Sequence, residues 1–326
     1  MLLEDGSTSS STARPAERGD AQGAMRDGFA VVEDFFGEAE EVRAAIDGHF
    51  AEPQRHQPDR HQIWNYWFVP GLYTYLRTLP EKVIAPELAH RFFHHLQRYA
   101  FETFGLGTVY WPYLSVYVAG CYQGLHNDAK NGRLGYVYSL TRWDKRRFSG
   151  GETLLLKEDS WSETGSVAKA KAGTGFYRLI PQQFNQLLVF DDRIPHAVQR
   201  IEGTMDPIEG RIAIHGHLAE AGVTVEGGLG GEQIHPVLAR LLAEVKRRQE
   251  KNADRYHGLV VTRLSVDSNG RVAPASVLLD RVLPLRRDVP LFKVSGFIDL
   301  LSNWRFPATH NASRITIPIV IGAPIA

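Results

Sequence analysis

Two rhythms of apolar residues run along this chain. Phe29-Ala30-Val31-Val32 reads as a strand opening the segment Phe29 to Phe36. From Gly37 to Phe50 the apolar positions Val42, Ala45, Ile46 and Phe50 recur at helical spacing. Glu81 to Phe104 reads as a longer amphipathic helix, with Val83, Ile84, Leu88, Phe92, Leu96, Tyr99 and Phe101 on its apolar side. Between the two helices, Gln62-Ile63-Trp64-Asn65-Tyr66-Trp67-Phe68-Val69 concentrates aromatic residues, followed by Tyr73 and Tyr75. That stretch reads either as a strand packed on a core or as the wall of a substrate pocket. Short apolar segments then follow at Thr108 to Val118, Tyr136 to Leu140, Thr153 to Leu156, Gly175 to Leu179, Gln186 to Phe190, Ala197 to Ile201 and Arg211 to Leu218. Separated by turns rich in Gly and Asp, they predict an all-β closure. The polar segment Lys157 to Gly173 reads as a mobile loop.

The pattern changes after Leu218. Leu218 to Glu232 carries Gly227-Gly228-Leu229-Gly230-Gly231 and reads as a flexible linker. Ile234 to Lys251 reads as a charged helix, with Leu238, Leu241, Leu242 and Val245 on one side. Gly258 to Val272 reads as strand, Asn-Gly turn, strand; Leu291 to Asn303 reads as a helix and Arg314 to Ile321 as a final strand. The organisation expected is therefore a disordered tail (1–24), a β domain (25–220), a linker and helix (221–252) and a small α+β module (253–326), the two folded units being independent.

Composition narrows the class. The 326 residues are 43% hydrophobic, enough for packed cores, and 37 Lys and Arg balance 37 Asp and Glu. A formal charge of zero gives no reason to expect a nucleic-acid partner. A single cysteine, Cys121, excludes an internal disulfide and fits a reducing compartment. No run of 18 apolar residues predicts a membrane span, and the serine-rich N-terminus lacks the apolar stretch of a secretory signal. A cytoplasmic location is the expectation.

The chemistry points at His126-Asn127-Asp128. In a strand, residues i and i+2 face the same side, so His126 and Asp128 offer a nitrogen and an oxygen to one point. His196 lies further on, after the apolar run Leu187-Leu188-Val189-Phe190, and Arg211 opens a later strand. Two histidines and one carboxylate form the facial set of non-haem Fe(II) oxygenases, which leaves positions open for cosubstrate and O2. His90 and His94 also share a helix face, but without the Glu that a zinc site of that spacing needs.

From Asp27 to Leu218 the chain resembles the prolyl 4-hydroxylase-like 2-oxoglutarate- and Fe(II)-dependent dioxygenases. The likeness rests on Asp27-Gly28-Phe29-Ala30-Val31-Val32-Glu33-Asp34-Phe35-Phe36, on His126 and Asp128, on Ser149-Gly150-Gly151-Glu152-Thr153-Leu154, on Pro195-His196-Ala197-Val198 and on Arg211. It implies a double-stranded β-helix, or jelly roll, with flanking helices. It implies that His126, Asp128 and His196 hold iron and carry the catalysis, and that Arg211 binds the distal carboxylate of 2-oxoglutarate. Tyr117 and His215 are the further cosubstrate contacts expected, and Arg178 or Arg193 would be next in line for Arg211. The cofactors implied are Fe(II), 2-oxoglutarate and O2, with ascorbate as reductant. Related halogenases carry Gly or Ala in place of the carboxylate, so Asp128 argues for hydroxylation. The loop Gly203 to Gly210 makes the interval between His196 and Arg211 longer than is usual in the family.

The expected substrate is a prolyl or other amino-acid residue in a peptide or protein; a free amino acid or small metabolite is the alternative. A cupin-like binding barrel and a non-catalytic iron or oxygen sensor are the competing readings. The C-terminal module resembles the C-terminal domain of TonB-like proteins over about 70 residues, through Asp267-x-x-Gly270-x-Val272 and Trp304-x-Phe306-Pro307. It implies protein contact or homodimerisation.

Overall fold

The computed structural model describes residues 25, 27–51, 64–157, 175–286 and 288–322. The tail expected over 1–24, the polar loop beyond Lys157, and Gln62 and Ile63 lie outside these residues.

Strands β1 (Phe29–Val32), β2 (Asn65–Val69), β3 (Tyr73–Thr78), β4 (Thr108–Tyr117), β5 (Tyr122–His126), β6 (Leu134–Ser139), β7 (Thr153–Leu156), β8 (Tyr177–Ile180), β9 (Gln186–Asp191), β10 (His196–Val198) and β11 (Arg211–Ala219) form one curled, antiparallel sheet. Its order is β1-β9-β6-β11-β4, then β3, then β5-β10-β7-β8, with β2 hydrogen-bonded to β3. β3 turns the corner: Leu76 to Thr78 pair with β4, while Tyr73 and Thr74 pair with β5. The two halves face each other as a jelly-roll core. The expected strand from Ala197 to Ile201 is shorter than predicted and begins one residue earlier, at His196.

Helix α1 (Ala39–Ala51) buries Val42 and Ile46 one turn apart and opens with Glu40 and Glu41, which favour a helix N-terminus. Arg43 is buried with it, bound to Asp47 and donating to the carbonyls of Leu140 and Ile208. Helix α2 (Pro86–Phe104) starts later than the periodicity predicted because Pro86 occupies its first turn, and it ends at Gly105 in a left-handed conformation. Its buried face (Leu88, Phe92, Leu96, Phe104) packs on the outside of the barrel with Phe35, Phe36 and Tyr138.

The glycine-rich stretch is more ordered than a flexible linker. Thr224–Gly227 forms β12, the edge of a second antiparallel sheet ordered β12-β15-β13-β14, with β13 at Tyr256–Val266, β14 at Ser276–Pro284 and β15 at Ser313–Ile321. Gly227 and Gly228 lie against the Ala312 and Asn311 carbonyls, where a Cβ would collide. Helices α3 (Gly231–Glu250) and α4 (Ser295–Ser302) contribute to the core on one face of this sheet. The Asn-Gly turn closes only an isolated bridge between Val266 and Val272.

Alternation along β13 decides how the two sheets relate. Val260, Leu264 and Val266 point into the core shared with α3 and α4, whereas Leu259 and Val261, with Leu279 of β14, belong to the core around α2. Arg263 reaches the Phe101 carbonyl and the Glu102 carboxylate at the end of α2. The second sheet is thus covered on both faces, and the two units meet at a buried seam. No described helix is long and apolar enough to cross a membrane.

Candidate metal and cosubstrate site

Antiparallel pairing of β5 with β10 sets His196 directly opposite His126, their ring centroids 4.4 Å apart. Each ring turns its Nδ1 to a backbone carbonyl two residues back, Gly124 at 2.7 Å for His126 and Ile194 at 2.9 Å for His196. Both Nε2 atoms are thereby aimed at Asp128, whose Oδ2 lies 3.9 Å from one and 3.4 Å from the other. Asn131 donates to the other carboxylate oxygen, Oδ1, at 3.0 Å. Fixing the imidazole through one nitrogen so that the other is presented is the usual arrangement of a metal-binding histidine.

Protonation states agree with a cation site. Burial, followed by the nearby His196, pulls the His126 pKa down, which keeps an imidazole lone pair available. Burial works against ionisation of Asp128, but its contact with His196 and the neighbouring histidine charges outweigh it and hold the carboxyl at about 2. Two imidazole nitrogens and one anionic oxygen, all within 4.8 Å of one another, make a donor set that fits Fe(II).

The sequence reading did not single out the carboxylate behind this set. Asp192 accepts from His217 Nδ1 at 3.1 Å, and its backbone carbonyl accepts from the Asp128 N–H at 2.8 Å. Burial lifts the Asp192 carboxyl to about 6 against the pull of His217. Nothing local in sequence signals a contact between positions 25 residues apart.

Arg211 opens β11 opposite Tyr117 of β4, as the strand pattern required. Its guanidinium is 4.7 Å from the Tyr117 ring centre and donates to Thr153 Oγ1 at 3.3 Å. The side chain is almost wholly buried, its Nε has no hydrogen-bond partner, and no described carboxylate pairs with it. Burial lowers its pKa, the direction expected of an uncompensated cation. Such a group is costly unless an anion joins it. Arg178 and Arg193, the other arginines considered, are already paired with Asp27 and Asp191.

The remaining expected contacts also face inward. Tyr117 is buried and stacks on Tyr75, ring centres 5.1 Å apart. His215 meets the Ser115 hydroxyl at 2.6 Å, and burial, then Arg211, depresses its pKa to about 3, leaving it neutral. These residues line one cavity of about 400 Å³, shared with His126, Asp128 and His196. The aromatic stretch divides: Trp67, Tyr73 and Tyr75 line the cavity, while Tyr66 and Phe68 are exposed. Arg77 joins the wall and was not foreseen, although Tyr73, Tyr75 and Arg77 follow the period-two spacing of one strand face.

No protein-family model matches the chain, and no curated protein sequence does. Among solved structures it is similar to a prolyl-4-hydroxylase from Pseudomonas putida at 16% identity, over 62% of this chain and 97% of that one, with a TM-score of 0.40. It is similar to a 2OG-Fe(II) oxygenase family oxidoreductase from Burkholderia pseudomallei at 16% identity, over 62% and 92%, TM-score 0.41. The non-heme alpha-ketoglutarate-dependent epimerase SnoN from nogalamycin biosynthesis matches at 14% identity, over 62% and 82%, TM-score 0.42.

Proposed function

We propose that this chain is an Fe(II)- and 2-oxoglutarate-dependent oxygenase that hydroxylates an unactivated C–H bond of an amino acid, free or within a peptide. One observation carries the reading: the facial set of His126, Asp128 and His196 shares its cavity with a buried arginine that lacks an anion.

His126 and His196 would hold the metal through Nε2, and Asp128 through Oδ2. Arg211 would receive the distal carboxylate of the cosubstrate in its planar fork, with Thr153 beside it and Tyr117 stacked beneath. The metal and cosubstrate, when bound, supply oxidising power from O2 with release of succinate and CO2. The protein's part is positional. His215, held neutral, offers a hydrogen-bonding edge without adding charge next to Arg211. Phe190, with its ring 4.7 Å from that of His196, walls one side of the metal set. A cupin-like binding barrel gives no reason for an unpaired cation at the Arg211 position.

Metal content and 2-oxoglutarate-dependent succinate formation, measured for the wild type and His196→Ala, test this reading. The wild type should take up iron and turn over 2-oxoglutarate, and the variant should do neither while retaining its fold. Equal turnover by the two proteins would remove His196 from the site and the reading with it.

A further inference from the structure

Arg211 is not the only arginine in the cavity. Arg77 projects from β3 with its guanidinium clamped between two aromatic faces, 3.4 Å from the Trp67 ring centre and 3.9 Å from that of Tyr113. Clamping fixes the plane of the fork and leaves only its edge to donate. Within the protein that edge meets the Tyr75 hydroxyl. No described carboxylate pairs with it, whereas most other arginines of the barrel, among them Arg43, Arg91, Arg133, Arg142, Arg178 and Arg193, have one. Arg77 and the metal set line the same cavity, whose volume of about 400 Å³ exceeds that of one small dicarboxylate and leaves room for a second small molecule.

We propose that Arg77 is the specificity residue for the oxidised substrate, and that this substrate is a small organic acid whose free carboxylate docks on the clamped fork. The inference rests on the oxygenase reading above and specifies its substrate by one group, a free carboxylate, which excludes residues in the interior of a peptide. A planar fork presented edge-on matches a carboxylate through two parallel hydrogen bonds. A phosphate dianion calls for more than one cation, and the other arginine lining the cavity, Arg211, is assigned to the cosubstrate. Trp67, Tyr73 and Tyr113 give the rest of the molecule an apolar surface. The orienting effect is on geometry: a carboxylate held at Arg77 fixes which C–H bond faces the metal.

The test uses the full chain under anaerobic conditions, with Fe(II) and 2-oxoglutarate present, and matched pairs of carboxylic acids and their carboxamides from acetate to phenylacetate. Binding is read by ligand-observed NMR and by the change each compound makes to the visible band of the iron–cosubstrate chelate. At least one acid should bind the wild type about tenfold or more tightly than its amide, the scale expected for hydrogen bonds to a charged partner. That preference should vanish in Arg77→Gln and return in part in Arg77→Lys. Inorganic phosphate should compete more weakly than the best acid. Arg211→Gln should weaken the chelate about a hundredfold, and Arg77→Gln far less. The proposal is overturned if no acid is preferred over its amide, if the preference survives in Arg77→Gln, if phosphate competes as well as the acids, or if Arg77→Gln loses the cosubstrate as Arg211→Gln does. Failure of the oxygenase reading looks different: no chelate band forms even in the wild type, while the preference for acids at Arg77 is still read by NMR on the metal-free protein.

Discussion

Replacing Asp191 by alanine should destabilise the protein more than almost any other single change outside the site. Asp191 ends β9 and is fully buried, where it accepts from the Arg193 backbone N–H at 2.9 Å, Arg193 Nε at 2.9 Å, Arg193 Nη2 at 2.6 Å and Arg281 Nε at 2.8 Å. Arg281 belongs to β14 of the second sheet, and Arg193 also donates to its carbonyl at 2.8 Å. The carboxylate therefore clasps the seam between the two units. Removing it takes the shared carboxylate from buried Arg281 and half-buried Arg193 together, a loss of about 3–5 kcal/mol. Arg281→Ala leaves Asp191 with its three bonds to Arg193 and should cost less, about 1.5–3 kcal/mol. Burial opposes ionisation of Asp191, yet Arg193 and then Arg281 hold its carboxyl well below the ordinary value of 3.8. A depressed carboxyl stabilises the folded state fully above the unfolded value and loses that effect as the pH falls below it. The gap between wild type and Asp191→Ala should thus be constant near neutrality and narrow below about pH 4. Urea unfolding of the three proteins at pH 7 and pH 3.5 measures this. Variants within about 1 kcal/mol of wild type at pH 7, or a gap that widens in acid, would refute the clasp.

Further outcomes follow from the same geometry. Arg211→Ala should weaken 2-oxoglutarate binding by about two to four orders of magnitude, with iron affinity far less affected, because it leaves a carboxylate without its counter-charge; Arg211→Lys should recover part of the loss, and equal affinities for all three proteins would move the anchor elsewhere. Gly105→Ala should destabilise by about 2–4 kcal/mol, since Gly105 sits at φ +71° and an added Cβ would overlap Val261 of the second sheet; a thermal midpoint unchanged from wild type would contradict that packing. A chain ending at Gly227 should lose cosubstrate binding and solubility, because Leu259, Val261 and Leu279 cover apolar surface around α2; a soluble fragment that binds 2-oxoglutarate would show the units to be separable.

The opposition of His126 to His196 needed only one antiparallel register, whereas Asp128 lies two residues past the end of β5 and joins them from outside the strand, so strand alternation alone does not account for the set. Arg211 was legible as the only basic residue opening that strand. Asp192 and His217 were not, since their contact depends on where β9 ends relative to β11. Arg77 had a signal, the run Tyr73-x-Tyr75-x-Arg77, but the pocket-wall alternative for this stretch rested on its aromatic residues and stopped at Tyr75. The second unit misled for a different reason. Glycines at 227 and 228 suggested flexibility, whereas they allow close approach of two backbones. The continuous apolar run Leu259-Val260-Val261 carried the sign of a strand buried on both faces, which is incompatible with a module standing apart.

The central claim, that one cavity holds Fe(II) by His126, Asp128 and His196 and 2-oxoglutarate by Arg211, is tested most directly by an anaerobic titration of the purified chain. Fe(II) is added first and 2-oxoglutarate second while the visible spectrum is recorded. A weak charge-transfer band should grow to saturation at one equivalent of cosubstrate in the wild type, be absent in His196→Ala, and require much higher 2-oxoglutarate in Arg211→Ala. A wild-type protein that binds iron yet develops no band at any 2-oxoglutarate concentration would contradict the account.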